Sequence, residues 1–105
     1  MAENSFEKRS PRLSLDVEVN CVGRGIAHTK NISKTGILLI TDTPMVEGNY
    51  IQMKFFLPEI DREINAHGKI VRTGMITDNY YESGINFWNI EPEDKEILDH
   101  FFESK

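Results

Sequence analysis

The chain has 105 residues, of which 39% are hydrophobic and 28% charged, with a formal net charge of −5 and a single cysteine. This composition is typical of a soluble globular domain and excludes a disordered tail, a collagen and a disulfide-stapled scaffold. No apolar run reaches the roughly 18 residues that a membrane-spanning helix needs, and the first residues lack the apolar segment of a secretory signal. We therefore expect one cytoplasmic domain without membrane insertion.

Alternating apolar residues predict strands over most of the chain. The first strand is predicted from four apolar residues at alternate positions, Leu13, Leu15, Val17 and Val19. Turn residues separate it from further predicted strands over residues 26–32, 36–41, 50–57, 64–71 and 80–90. The segment 36–41 is apolar on both faces, so we expect it to lie in the interior of the sheet.

The period of the apolar residues changes from strand to helix near the end of the chain. Pro92 is suited to the first helical position, and acidic residues follow in the first turn. One face is then apolar at helical spacing, through Ile97, Leu98, Phe101 and Phe102. We predict a mainly β fold, a small six-stranded antiparallel β-barrel with one C-terminal α-helix, over residues 13–105. Residues 1–12 are expected to form a flexible arm that carries a basic motif.

Charge is unevenly distributed along the chain. Residues 7–34 contain six basic and three acidic side chains, whereas residues 35–105 contain six basic and thirteen acidic ones. Proteins that bind nucleic-acid polymers present a basic surface to the phosphate backbone, so we expect no nucleic-acid polymer as a partner. A small anion could still bind near the basic segment of residues 7–34.

Catalytic and metal motifs are not recognisable in the sequence. The three histidines, His28, His67 and His100, lack the paired spacing of a metal site. Cys21 has no histidine nearby in sequence and is expected to be a packed, small hydrophobic residue. The chain contains no nucleophile elbow, P-loop or dinucleotide fingerprint. We predict neither an enzyme nor a metal site.

Two short segments do indicate binding. Residues 7–12, EKRSPR, place three cations before the first strand, and residues 31–36, NISKTG, combine short hydrogen-bonding side chains with a glycine. Taken one at a time, a solvated charge cluster and a polar hairpin turn explain them better, and only their combination on an acidic domain favours binding. The candidate binding residues are Lys8, Arg9, Arg12, Asn31, Ser33 and Gly36.

Together these segments resemble the PilZ domain, the bacterial receptor module for cyclic di-GMP. The family pattern is RxxxR before the first strand, followed along the chain by [D/N]xSxxG, and residues 31–36 match the second motif in full. Residues 83–87, SGINF, are similar to the closing strand of the family. The first motif departs from the pattern, because Lys8 and Arg12 give KxxxR. Lysine keeps the charge of arginine but loses its planar, bidentate geometry.

The resemblance implies a receptor that needs no cofactor. The basic arm would close over cyclic di-GMP, Asn31 and Ser33 would hydrogen-bond guanine or phosphate, and Gly36 would keep the surface clear. An unidentified effector protein would then sense the ordered arm, in motility, biofilm or envelope regulation. Two alternatives stay open: a PilZ-like interaction module that no longer binds cyclic di-GMP because of Lys8, and a small barrel that binds single-stranded nucleic acid.

Overall fold

The computed structural model describes residues 12–104, which form six strands and one helix. In chain order these are β1 (Glu18–Cys21), β2 (Gly25–Ile32), β3 (Gly36–Thr41), β4 (Tyr50–Phe55), β5 (Ile64–Met75), β6 (Tyr81–Ile90) and α1 (Pro92–Glu103). Every predicted strand and the predicted helix are present. The differences from the sequence analysis lie in the ends of the elements.

The strands close into an antiparallel barrel in the order β1-β2-β3-β6-β5-β4. The ring is closed by β1 and β4, where Val19 lies opposite Phe55. Closure gives each strand a neighbour on both sides and so removes the free edges of an open sheet. The doubly apolar strand β3 lies between β2 and β6 and is almost wholly buried, as predicted. The mainly β fold with a C-terminal helix is confirmed.

The apolar face of α1 completes the core. Leu98, Phe101 and Phe102 are buried in one cluster with barrel residues such as Phe55. Ile97, predicted on the same face, is half-buried at the edge of that cluster. Among residues 12–104, no helix has both the length and the hydropathy to cross a membrane.

The segment before β1 alternates in burial as predicted, but it does not form a continuous ladder. Leu13 pairs with Ile32 as an isolated bridge, and regular pairing begins only at β1. Between them, the Thr29 hydroxyl accepts a hydrogen bond from the Val17 backbone N–H at 2.9 Å and donates one to the Leu15 carbonyl. A side chain therefore takes the place of part of the backbone ladder, so the first strand is shorter than predicted.

A buried carboxylate fixes the start of α1 to the β4–β5 loop and to the beginning of β5. Asp94 is 3% exposed. It accepts a hydrogen bond from Arg62 Nε at 3.1 Å and another from the Asn65 backbone N–H at 3.1 Å. Because both of its oxygens have partners, the cost of burying the charge is compensated. The helix is thus held in a defined position on the barrel.

Candidate functional site

Arg12 and Asn31, which belong to separate motifs in the sequence, are in direct contact. Arg12 Nη1 donates a hydrogen bond to Asn31 Oδ1 at 2.8 Å. The backbone sets up this contact, since Leu13 and Ile32 exchange two hydrogen bonds of 2.9 and 3.0 Å immediately beside it. The other residues of the basic motif, Lys8 and Arg9, lie outside the described residues.

The second motif ends in a turn between β2 and β3 that is held together by Ser33. Ser33 Oγ accepts hydrogen bonds from the backbone N–H groups of Thr35 at 3.1 Å and Gly36 at 3.2 Å. Ser33 is 1% exposed, so its hydroxyl faces the turn rather than solvent. A Cβ on Gly36 would lie 2.4 Å from the carbonyl oxygen of Ile85, so the close approach of β3 to β6 requires glycine here.

A cleft of about 480 Å³ lies beside this turn, across β3, β6 and β5. Its lining residues are Arg12, Thr35, Ile37, Leu38, Val71, Arg72, Gly84, Ile85 and Asn86. Leu38 is buried but does not belong to the core cluster of the barrel, so it contributes an apolar floor outside that core. An apolar floor with polar groups at the rim suits a small ligand that has flat faces and hydrogen-bonding edges.

Arg72 brings a second guanidinium to the cleft, although it belongs to neither of the two motifs in the sequence. Arg72 lies opposite Gly84 in the β5–β6 pairing, directly after a register shift. A Cβ on Gly84 would lie 2.9 Å from Arg72 Nε and 3.0 Å from Arg72 Cγ, so the arginine side chain lies closely over the glycine. A glycine inside a strand is the one available sequence signal, since it marks a close approach. That signal does not reveal which residue approaches.

The lining of the cleft is suited to binding an anion rather than to acid–base chemistry. Its described residues include two guanidinium groups and no carboxylate, imidazole or thiol. Guanidinium groups form bidentate pairs with phosphate oxygens and with the O6/N7 edge of guanine. Thr35 and Asn86 add neutral donors and acceptors.

Other reactive groups do not assemble into a second centre within residues 12–104. No cluster of His, Cys, Asp and Glu in this part of the chain is placed to hold a metal ion. Burial raises the pKa of the Cys21 thiol, an effect that nearby Arg24 partly opposes. A buried thiol that stays protonated is a poor nucleophile. Cys21 is a core residue, as expected from its strand position.

A family model described as the PilZ domain matches residues 4–104. The match covers both motifs, the cleft and the helix, and it confirms the resemblance drawn from residues 31–36 and 83–87. A search of curated proteins found no match.

Several solved structures have the same fold at low sequence identity. The inhibitor of motility MotI/DgrA from Bacillus subtilis superposes with a TM-score of 0.78 at 16% identity, over 91% of this chain and 49% of that one. MrkH from K. pneumonia in complex with c-di-GMP gives 0.75 at 20% identity, over 91% and 51%. A MrkH structure described as a c-di-GMP-dependent transcription regulatory factor gives 0.71 at 20%, over 91% and 49%. This chain spans about half the length of these proteins.

Proposed function

The chain belongs to the PilZ domain family, and from this membership we propose that it is a receptor for cyclic di-GMP that signals through an effector protein. The ligand would occupy the cleft beside the turn formed by residues 33–36. MrkH, which shares the fold, has been solved with c-di-GMP bound, and this supports the class of ligand.

The arrangement of Arg12, Asn31 and Arg72 carries the proposal. Cyclic di-GMP presents two phosphates and two guanines, so a receptor needs cations together with directional hydrogen-bonding groups. Arg12 is already oriented by its 2.8 Å hydrogen bond to Asn31, and Arg72 lines the same cleft from β5. In the bound state Arg12 would pair with a guanine edge or a phosphate, and Asn31 would hydrogen-bond the same ligand.

The remaining motif residues would serve the site in different ways. Lys8 and Arg9 would add charge from the N-terminal arm, with Arg9 supplying the planar group that Lys8 lacks. Ser33 would hold the turn in shape, since its hydroxyl accepts hydrogen bonds from the backbone of that turn. Gly36 would allow β3 to approach β6 closely enough to form the wall of the cleft.

The proposed output is a change in the N-terminal arm that an effector protein recognises. Ordering a segment over a ligand costs conformational entropy, but it turns ligand binding into a change of surface. The process that we propose for this chain is motility, biofilm or envelope regulation. Of the matched proteins, one is described as an inhibitor of motility and another as a transcription regulatory factor. The absence of a nucleic-acid polymer among its partners stays a prediction from charge alone.

Isothermal titration of the purified chain with cyclic di-GMP tests the proposal, with GTP and cyclic di-AMP as ligand controls. We expect micromolar or tighter binding that is lost in Arg12→Ala and retained in Arg24→Ala. Arg24 is a matched control because it is an exposed arginine that does not line the cleft. No heat and no thermal stabilisation of the folded protein at high cyclic di-GMP would refute the receptor function.

Lys8 favours a second candidate function, a PilZ-like interaction module that no longer binds the dinucleotide. One lost bidentate contact weakens binding by about 1–3 kcal/mol, which is on the order of ten- to a hundredfold. The variant Lys8→Arg separates the two functions. Binding that appears only in this variant would identify a domain that has lost its receptor function. If neither the wild type nor Lys8→Arg binds cyclic di-GMP, the interaction module is supported.

A further inference from the structure

An open apolar groove between α1 and the β4–β5 loop has no part in the proposed receptor function. Its volume is about 500 Å³, and its lining residues are Ile60, Glu96, Ile97 and His100. Ile60 and Ile97 are half-buried and pack against the core from outside, so they give the groove an apolar floor. Glu96 and His100 are exposed.

The groove lies in the most acidic part of the molecule. Residues 56–63 and 91–103, which form the loop and the helix region beside it, contain nine of the 17 acidic residues of the chain and two of its 12 basic ones. The rest of the chain carries eight acidic and ten basic residues. The surface around the groove is therefore strongly negative, whereas the ligand cleft is lined by guanidinium groups.

The two basic residues of this region are already paired within it. Arg62 contacts Asp94 at 3.1 Å and Glu93 at 3.5 Å, and Lys95 contacts Asp99 at 3.0 Å. Lys34 also contacts Glu103 at 3.7 Å, so three cations face nine carboxylates and the region keeps its negative charge. The contacts of Arg62 with Asp94 and Glu93 also hold the loop against the helix, so the two walls of the groove are fixed relative to each other. A preformed surface binds a partner without the entropy cost of ordering its own groups.

We propose that this groove is a docking site for a basic amphipathic segment of a partner protein. Aliphatic side chains of the segment would fill the space between Ile60 and Ile97, and its lysines or arginines would face Glu96 and the surrounding carboxylates. An acidic segment would be repelled here, and an uncharged apolar one would leave the carboxylates without partners. The apolar floor and acidic surroundings match the way amphipathic helices bind in grooves. This inference does not depend on cyclic di-GMP.

A synthetic amphipathic peptide tests the proposal with all 105 residues of the chain and without cyclic di-GMP. The probe carries lysine on one helical face and leucine on the other. One control peptide replaces every lysine by glutamate, and a second replaces every leucine by glycine. In a ¹⁵N NMR titration we expect saturable amide shifts confined to residues 56–63 and 91–103 with the probe alone. Equal binding of the glycine peptide, or shifts centred on another face, would overturn the proposal.

A charge-reversal pair then tests the position of the site. Glu96→Lys should weaken binding of the probe by about fivefold, the upper range for an exposed charge pair, whereas Glu47→Lys should change it by less than about twofold. The substitution Glu47→Lys changes the net charge by the same amount as Glu96→Lys, at an exposed position outside the loop and the helix. Equal weakening in both variants would show attraction to net charge only and would refute a defined groove. Both substitutions are at exposed positions, and circular dichroism verifies that each variant is folded.

Discussion

Replacing Asp94 by alanine removes the carboxylate that joins α1 to the barrel, and the structure gives the size of the effect. The Asn65 backbone N–H loses a charged acceptor in a partly buried place, which costs about 1–3 kcal/mol. Arg62 loses a partner too, but its side chain is 51% exposed and can turn to water, so we assign about 1 kcal/mol to that contact. We expect Asp94→Ala to lower the free energy of unfolding by about 2–4 kcal/mol.

Urea denaturation followed by circular dichroism measures this loss, and two further variants separate its causes. Asp94→Asn keeps an acceptor for Asn65 but removes the charge, so its unfolding free energy should lie between those of the wild type and Asp94→Ala. Glu93→Ala removes an acid that contacts the same Arg62 at 3.5 Å but is 76% exposed, and it should cost less than about 0.5 kcal/mol. If Asp94→Ala and Glu93→Ala lower the free energy of unfolding equally, the reasoning is refuted. The burial of the Asp94 carboxylate would then have no effect on stability.

Three other predictions test the cleft and the core. Gly36→Ala should destabilise the fold by about 1–3 kcal/mol in urea denaturation because its Cβ would meet a backbone carbonyl, whereas Gly74→Ala, with nothing within 4 Å, should change it by less than about 1 kcal/mol. Arg72→Ala should weaken cyclic di-GMP binding about ten- to a hundredfold in calorimetry at unchanged melting temperature, and unchanged affinity would remove Arg72 from the site. Because burial raises the pKa of Cys21, its contribution to stability should be present below the ordinary thiol value of 9.0 and decline as the pH rises above it. The difference in unfolding free energy from Cys21→Ala should therefore shrink at alkaline pH, and a constant difference would contradict this linkage.

The fold could be predicted to a large extent because most buried positions of the strands and of the helix are apolar at a regular spacing in the sequence. Alternation predicts which face of a strand is buried, and the burial pattern of the segment before β1 agrees with it. Alternation does not show whether the backbone pairs continuously with its neighbour, and here the Thr29 hydroxyl replaces part of the ladder, so regular pairing begins later than predicted. At the other extreme, β5 extends to Met75, past the predicted end at residue 71, because its last residues pair with β6 while remaining exposed. Exposed strand residues have no apolar period to detect.

Residue patterns alone predicted parts of the candidate site only within each short segment, and the family resemblance linked the two segments. The segment 31–36 can be recognised from the sequence because one turn requires its serine and its glycine at a fixed spacing. The contact between Arg12 and Asn31 joins positions 19 residues apart, and it depends on the pairing of Leu13 with Ile32.

Arg72 and Asp94 show what the tertiary structure alone decided. In the sequence, Arg72 is one arginine in a strand, and Asp94 is one of several acids that favour a helix start. Strand register places Arg72 over Gly84 at the cleft, and packing of α1 buries Asp94 beside Arg62. Local patterns therefore determined the elements and one motif of this protein. The position of Arg72 in the cleft and the contact between Arg62 and Asp94 both bring together groups that are distant along the chain. They therefore form only when the strands and the helix have packed.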